Sequence, residues 1–148
     1  MAILRIYTDG ACSGNQEKEN FGGWGAILEY GEHQKELFGG QANTTNNRME
    51  LCAVISGLEI LREPCEVTVY SDSKYVVDAM KLGWARGWKE KGWKKSDGKT
   101  ALNTDLWERL LSLSEMHRLR FVWVKGHDGH EYNERCDREA VAQAEKFT

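Results

Sequence analysis

The stretch ILRIYTDG, residues 3–10, decides the fold of this chain of 148 residues. Residues 3–8 are rich in β-branched and aromatic side chains, which favour a strand, and Asp9 and Gly10 are typical of the turn that follows one. Two further strand patterns come next in the chain, with a short turn around Gly31 between them. Three consecutive strands with such short connections predict an antiparallel meander.

After the meander, helical and strand-like patterns alternate. From residue 46 to residue 62 apolar side chains recur at helical spacing, with Thr45 as the expected N-cap and Pro64 just beyond the end. The predicted elements are strands at residues 3–8, 22–30, 33–41, 66–70 and 119–124, and helices at 46–62, 74–81, 84–91, 104–116 and 133–146. A meander followed by β-α-β crossovers predicts a single α/β domain, residues 1–148, whose five-stranded mixed sheet is flanked by helices on both faces.

The composition favours a soluble globular protein. Hydrophobic residues make up 41% and charged residues 29% of the chain, and no apolar run approaches the roughly 18 residues that a membrane helix needs. The amino terminus runs directly into a strand pattern, without the layout of a signal peptide. Cys12, Cys52, Cys65 and Cys136 show no regular spacing, which fits reduced thiols. We therefore expect a cytoplasmic monomer that needs no membrane and no obligate protein partner.

Charge is distributed unevenly along the chain. The net charge is −3, but residues 81–99 contain seven basic residues against Glu90 and Asp97, a local charge of +5 that leaves −8 for the remainder. The tryptophans interleaved with these cations are Trp84, Trp88 and Trp93. Such a segment is typical of a surface that binds a polyanion. Tryptophans four residues apart also fit the buried face of a helix, and a run of charges also fits a solvated face.

Two aspartates follow predicted strands, and two further acidic residues lie early in predicted helices. Asp9 and Asp72 come at the ends of the first and fourth strands, so both emerge at one sheet edge if those strands are parallel neighbours. Glu50 and Asp137 lie near helix amino termini, where anionic side chains are favoured. Taken one at a time, all four also fit ordinary turn or capping residues.

Four converging carboxylates would need a cation. Like charges held close together repel and raise one another's pKa, which makes such a cluster a poor structural device. A divalent ion removes the conflict, and oxygen ligands that leave waters in the shell suit Mg²⁺ or Mn²⁺. Two such ions about 4 Å apart are a known arrangement for phosphoryl transfer.

Four blocks of sequence carry a resemblance to a known family. They are YTDGAC at residues 7–12, TTNNRMEL at 44–51, YSDS at 70–73, and VKGHDGH at 124–130 with NERCD at 133–137. In order and spacing these blocks resemble bacterial type 1 ribonuclease H, and the resemblance covers essentially the whole chain. It implies the ribonuclease H-like fold and an endonuclease that hydrolyses the RNA strand of RNA–DNA hybrids by metal-assisted water attack, leaving 5′-phosphate and 3′-hydroxyl ends.

The resemblance also implies roles for individual residues. The implied metal ligands, which are also catalytic, are Asp9, Glu50, Asp72 and Asp137. Asp9 would bridge two Mg²⁺ ions when substrate is bound, with Mn²⁺ as an alternative ion. His127 would be a catalytic proton shuttle, since imidazole titrates near neutral pH. The histidines that are expected to lie at the surface are His33, His117 and His130.

Recognition of a hybrid requires groups that sense the 2′-hydroxyl and the shape of the groove rather than the bases. By resemblance, the minor-groove contacts are Gly10, Cys12, Gly14, Asn15, Asn46 and Asn47, together with Glu50. Thr45 and Asn103 match positions that hold a DNA phosphate, and Thr45 is expected to cap the helix as well. The basic segment matches a protrusion that follows the DNA strand, and its contact residues are Trp84, Trp88 and Lys89. Lys74 stands where Gln or Asn often contacts substrate.

Two departures from the family pattern and three rival interpretations accompany this assignment. Residues 16–20, QEKEN, replace a Pro-Gly turn with a longer charged segment, and Glu90 interrupts the basic segment. The first rival, another nuclease of the same fold class such as a resolvase, transposase or 3′-5′ exonuclease, predicts an Asp-x-Glu motif or extra domains. The second, an inactive hybrid-binding module, predicts the loss of a carboxylate. The third, a sugar-kinase-like ATPase, predicts a duplicated domain with phosphate-binding loops.

Overall fold

The computed structural model of the chain describes residues 2–13, 20–124, 138 and 140–142. The strands are β1 (Ala2–Ser13), β2 (Phe21–Tyr30), β3 (His33–Ala42), β4 (Cys65–Ser71) and β5 (Arg118–Trp123). The helices are α1 (Asn46–Glu59), α2 (Lys74–Lys81), α3 (Trp84–Glu90) and α4 (Thr104–Met116). Across the described residues, no helix has the length and apolar character needed to span a membrane.

The five strands form one mixed sheet in the order β3-β2-β1-β4-β5. β1, β2 and β3 pair in antiparallel fashion, whereas β4 is parallel to both β1 and β5. The predicted meander and the crossovers after it are therefore confirmed. Gly31 lies between β2 and β3 with a φ of +59°, a left-handed conformation that glycine adopts at little cost in a tight hairpin turn.

β1 is longer than predicted. The prediction of a turn at Asp9 and Gly10 is wrong, because the strand continues to Ser13, with Gly10 opposite Trp24 of β2. The pairing that ends near Asp9 is the one with β4, and the last residue of β1 in that pairing is Tyr7. Asp9 therefore stands just beyond the parallel part of the sheet, with its backbone still held by β2.

α1 begins at the predicted residue and ends earlier than predicted. Thr45 caps its start, and the last helical residue is Glu59 rather than residue 62. At the carboxyl end the backbone N–H of Leu61 bonds to the carbonyl oxygen of Leu58 at 3.1 Å. This tighter turn ends the α-helical hydrogen-bond ladder before the chain reaches Pro64, and it accounts for the difference.

The four described helices pack against one face of the sheet. Inward side chains such as Ile6 of β1 and Val69 of β4 form a single core cluster with residues from all four helices. Trp107 of α4 is fully buried in this cluster. The cluster fixes α1 and α2 against the sheet, so the ends of these helices lie beside the ends of β1 and β4.

The opposite face of the sheet carries a separate aromatic cluster. The rings of Tyr7 and Tyr70 stack with centroids 4.9 Å apart and planes inclined by 13°, beside Ile27. The helix predicted at residues 133–146 lies mostly outside the described residues. Within it, residues 138 and 140–142 are described and are helical.

Candidate active site

The carboxylates of Asp9, Glu50 and Asp72 lie together, with oxygen atoms of all three within 4.8 Å of one another. Asp9 comes from β1, Glu50 from α1, and Asp72 directly follows β4. Asp9 and Glu50 are 2% and 7% exposed, and Asp72 is half-buried. Three of the four predicted ligands therefore converge. The fourth, Asp137, and the predicted proton shuttle, His127, lie outside the described residues.

Two glycines explain how α1 brings Glu50 so close to the sheet. A Cβ atom at Gly10 would lie 2.4 Å from the backbone nitrogen of Glu50 and 2.5 Å from the carbonyl carbon of Met49. A Cβ atom at Gly22 would lie 2.4 Å from Cγ2 of Thr44 and 2.6 Å from Cγ of Met49. Close-packed interiors do not tolerate such contacts. The contacts at Gly10 are with the backbone of α1, so a side chain there would push the start of α1 away from the sheet, whereas those at Gly22 are with side chains.

Asp72 is held in place by β5 and by the start of α2. The indole nitrogen of Trp123 donates a hydrogen bond to the backbone carbonyl oxygen of Asp72 at 3.1 Å. Ser73 caps α2 by accepting the backbone N–H of Val76 at 3.2 Å. The Nζ atom of Lys74 lies 4.6 Å from the centroid of the Trp123 ring, a cation–π contact. Sequence reasoning missed Trp123, and its position at the end of the strand beside β4 is the signal that could have found it.

The donor set of the cluster fits a hard divalent cation. Three carboxylates this close together repel one another unless a positive charge lies between them. The backbone N–H of Gly10 donates to Oδ1 of Asp9 at 2.9 Å, which orients that carboxylate. Because all of the ligand atoms are oxygens, Asp9, Glu50 and Asp72 can hold an ion of the Mg²⁺ and Mn²⁺ class.

Thr45 and Asn103, the predicted phosphate-holding pair, are linked through Arg48. The Thr45 hydroxyl accepts the backbone N–H of Arg48 at 3.1 Å, which confirms its capping role. The Arg48 guanidinium donates to Oδ1 of Asn103 at 3.3 Å and to Asp105 at 2.8 Å. The hydrogen bond from Arg48 lowers the pKa of the Asp105 carboxyl. Asn103 also donates from Nδ2 to the Tyr75 hydroxyl at 3.2 Å, so its amide is oriented from both ends.

The predicted minor-groove residues of β1 and α1 are neighbours. The Sγ atom of Cys12 donates to the carbonyl oxygen of Thr44 at 3.8 Å, directly before the helix cap. Asn46 and Asn47 begin α1 and are exposed. We call Cys12, Asn46 and Asn47, with the backbone of Gly10, the polar edge. Gly10 directly follows Asp9 in β1, and Asn46 and Asn47 lie in the same helix as Glu50. Residues 14 and 15, which were assigned to the same edge, lie outside the described residues.

A groove of about 620 Å³ lies between α3 and the start of α1. Its lining includes Asn47, Trp84, Trp88, Lys91, Lys94 and Lys95. Trp84 is 48% exposed, whereas the ring of Trp88 packs edge-on against Trp107 with centroids 5.9 Å apart. The buried-face interpretation therefore holds for Trp88, whereas Trp84 faces solvent and its contact with a polyanion stays a prediction. Lys89, expected to contact substrate, pairs with Glu108 of α4 at 3.7 Å.

His117 is buried, so the expectation that it lies at the surface is wrong. It is 4% exposed, and its Nδ1 atom accepts the backbone N–H of Cys65 at 3.0 Å. This contact ties the short connection between α4 and β5 to the start of β4, which a pattern of apolar residues does not reveal. Burial lowers the pKa of His117. His33 is exposed, as expected, and His130 lies outside the described residues.

The three cysteines within the described residues are thiols, as expected from their spacing. They are Cys12, Cys52 and Cys65, and burial raises the pKa of each thiol. A raised pKa keeps a thiol protonated at neutral pH, which makes it a poor nucleophile. Cys136 lies outside the described residues.

Comparisons with known proteins place this geometry in context. The chain matches the RNase H family model over residues 2–145. It is 54% identical to a ribonuclease H of Desulforamulus reducens over 143 residues, covering 97% of this chain and 88% of the relative. It is also 54% identical to a ribonuclease H of Agrobacterium fabrum over 147 residues, covering 99% and 98%.

Solved structures show the same architecture. LC9-RNase H1, described as a type 1 RNase H with the type 2 active-site motif, superimposes with a TM-score of 0.87 at 32% identity, covering all of this chain and 74% of that one. LC11-RNase H1, solved in complex with an RNA/DNA hybrid, superimposes with a TM-score of 0.71 at 24% identity, covering 97% of each chain. The second likeness concerns the fold alone.

Proposed function

This chain belongs to the ribonuclease H family, and from that premise we propose how it performs the family's reaction. It is a phosphodiester hydrolase that cleaves the RNA strand of RNA–DNA hybrids. Four carboxylates carry the reaction in this proposal: Asp9, Glu50, Asp72 and Asp137. The observation that supports it is the convergence of the first three, with oxygens within 4.8 Å, beside an exposed polar edge.

The carboxylates would hold Mg²⁺, two ions when substrate is bound, with Mn²⁺ as an alternative. When bound, such ions make water a stronger nucleophile and stabilise charge on the departing 3′ oxygen. Asp9 holds the central position, because it comes from the strand between β2 and β4 and its carboxylate is oriented by the N–H of Gly10. Trp123 fixes the backbone that carries Asp72. His127 is proposed to move a proton during the reaction, and the products carry 5′-phosphate and 3′-hydroxyl ends.

The polar edge beside the carboxylates is proposed to read the RNA strand. Cys12, Asn15, Asn46 and Asn47, with the backbone of Gly10, would contact the minor groove, where the 2′-hydroxyl distinguishes RNA from DNA. Thr45 and Asn103 would hold a phosphate of the DNA strand, with the charge of Arg48 beside them. Lys74, in contact with the Trp123 ring, would meet a phosphate close to the cleavage position.

The groove beside α3 is proposed to follow the DNA strand away from the active site. Trp84 offers an exposed aromatic face, and Lys91, Lys94 and Lys95 supply positive charge along the groove. Contacts of this kind are independent of base sequence and weaken as salt is added. Trp88 contributes through its packing on Trp107, and Lys89 contributes long-range charge from the flank.

We further propose that the chain acts as a single domain, as a monomer and in the cytoplasm. One continuous core joins the sheet to all of the described helices, which supports a single folding unit. The described thiols support a reducing compartment. Family membership argues against the rival nucleases and the ATPase, and the three converging carboxylates argue against an inactive binding module.

The test is cleavage of a labelled RNA–DNA hybrid by wild type and by Asp9→Asn, with and without Mg²⁺. Wild type should release RNA fragments with Mg²⁺ only, leaving the DNA strand and free single-stranded RNA intact. Asp9→Asn should lose activity, whereas Glu66→Gln, a change to an exposed carboxylate of β4, should not. An intact hybrid in every lane would refute the activity, and full cleavage by Asp9→Asn would refute the site.

A further inference from the structure

Asn20, the residue directly before β2, is hydrogen-bonded to the segment that precedes α1. Its Nδ2 atom donates to the carbonyl oxygen of Thr44 at 2.9 Å, and the N–H of Thr44 donates to its Oδ1 at 2.7 Å. The backbone carbonyl oxygen of Asn20 accepts the N–H of Asn43 at 2.7 Å. One residue thus binds three backbone groups of residues 43 and 44.

Thr44 leads directly into the polar edge that is proposed to read the RNA strand. It is 4% exposed, and the next residue, Thr45, caps α1. Its carbonyl oxygen is also the acceptor for the Sγ atom of Cys12. Asn20 and Cys12 therefore meet at one carbonyl group, which lies between the β1 part and the α1 part of the polar edge.

We infer that Asn20 is a positioning residue for hybrid recognition, because its amide fixes the backbone that presents Thr45, Asn46 and Asn47. This inference rests on the proposed function. A carboxamide supplies one donor and one acceptor side by side, so it can bind the N–H and the carbonyl of the same residue. Groups that are already ordered lose less conformational freedom when substrate binds, which strengthens binding.

Asn20 also ends the charged segment, residues 16–20, that departs from the family pattern. A turn built from Pro and Gly has no side-chain amide to offer at this place. The hydrogen bonds of Asn20 therefore give the longer connection of this chain its own attachment to the start of α1.

Glu50 is held by contacts other than those of Asn20, so loss of the Asn20 amide should affect substrate binding and not the catalytic step. The close approach of Gly10 to the backbone of Glu50 and Met49 fixes α1 at the carboxylate cluster. Loss of the Asn20 amide would loosen the start of α1 and leave the carboxylates in place. The expected result is a higher KM for hybrid with nearly unchanged kcat, the signature of lost binding rather than lost transition-state stabilisation.

Two substitutions test the amide directly. Asn20→Ala removes both side-chain hydrogen bonds to Thr44, and Asn20→Asp keeps the shape but replaces the donor by an oxygen that faces the Thr44 carbonyl. We expect KM for hybrid to rise roughly tenfold in Asn20→Ala and at least as much in Asn20→Asp, with kcat within about twofold of wild type. The control is Gln41→Ala, an exposed position of β3, which should behave as wild type.

A second readout distinguishes positioning from a general loss of stability. In an Asp9→Asn background, affinities for an RNA–DNA hybrid and for a DNA–DNA duplex are measured at one salt concentration. Asn20→Ala should weaken hybrid binding roughly tenfold and duplex binding much less, because only the hybrid offers 2′-hydroxyls to Asn46 and Asn47, whereas the groove cations bind phosphates of either duplex. Equal weakening of both, or an unchanged KM in both variants, would overturn the inference. Failure of wild type to cleave hybrid would instead overturn the proposed function.

Discussion

The substitution Gly10→Ala tests how the fold assembles the carboxylate cluster. The added Cβ atom would lie 2.4 Å from the backbone nitrogen of Glu50, 2.5 Å from the carbonyl carbon of Met49 and 2.8 Å from the Cβ of Met49. Two of these three atoms belong to the backbone of α1, so no rotation of a side chain can relieve the contact. α1 must move away from β1, and Glu50 must move with it.

The size of the effect follows from these distances. An ordinary contact begins at 3.4 Å, so the helix must retreat by about 1 Å. Overpacking of this kind costs about 1–3 kcal/mol of stability, which lowers the Tm of a chain of this size by roughly 2–4 °C per kcal/mol. A misplacement of about 1 Å at a reacting centre reduces rate by about a hundredfold. We therefore expect a folded protein with a modestly lower Tm and a severely reduced kcat.

The assay is hybrid cleavage at saturating Mg²⁺, with thermal unfolding measured in parallel. The control is Gly57→Ala on the same helix, where the new Cβ would lie 3.3 Å from Cγ2 of Ile6, a side-chain contact far from the carboxylates. That variant should keep wild-type kcat. If Gly10→Ala retained wild-type kcat with an unchanged Tm, the claim that this glycine sets the position of Glu50 would be refuted.

Three further predictions concern pH, charge and the support of Asp72. Burial holds the pKa of His117 below its ordinary value of 6.5, because the folded protein disfavours the protonated imidazole. The stability that the neutral imidazole contributes is therefore complete above about pH 6.5 and is lost as the pH falls through the pKa of the folded state. Urea unfolding at about pH 7.5 and about pH 5 should show a smaller loss of stability in His117→Gln than in wild type, and an equal loss would exclude His117 as the cause. Replacing Lys91, Lys94 and Lys95 together by Gln should make the plot of log hybrid affinity against log salt concentration less steep by about 2–3 units. Lys89→Gln should change this slope less, because Lys89 is paired with Glu108. An unchanged slope in the triple variant would show that the groove is not part of the binding surface. Trp123→Phe removes the hydrogen bond to the Asp72 carbonyl, and the Mg²⁺ concentration for half-maximal cleavage should rise about fivefold; an unchanged midpoint would show that this bond does not support the site.

Much of the fold could be predicted because it depends on local patterns. The meander, α1 and the crossovers follow from strand and helix periodicity, and the structure has them in the predicted order. The end of β1 could not be predicted in this way. Asp9 and Gly10 have the composition of a turn, but pairing with β2 continues the strand to Ser13, and this tertiary contact outweighs the local preference.

In the candidate site, too, residues within recognisable local sequence were predictable, and residues with contacts remote in sequence were not. Asp9, Glu50 and Asp72 were predictable because flanking residues resemble a family, and the structure brings them within reach of one ion. Asn20 and His117 were missed, since each acts through backbone groups of a segment remote in sequence. Hydrogen bonds of this kind leave no periodic pattern in the sequence and are visible only once the chain is folded.

Asp9, Glu50 and Asp72 are proposed to form, with Asp137, a metal-dependent site that cleaves the RNA strand of a hybrid. The most direct test is a Mg²⁺ titration of hybrid cleavage by wild type, Asp9→Asn, Glu50→Gln and Asp72→Asn. Wild-type activity should rise from none to saturation, and each variant should remain at least about a hundredfold less active across the titration. Wild-type rates in any one of the three variants, or cleavage by wild type without a divalent ion, would contradict the assignment of these carboxylates to a metal-dependent site.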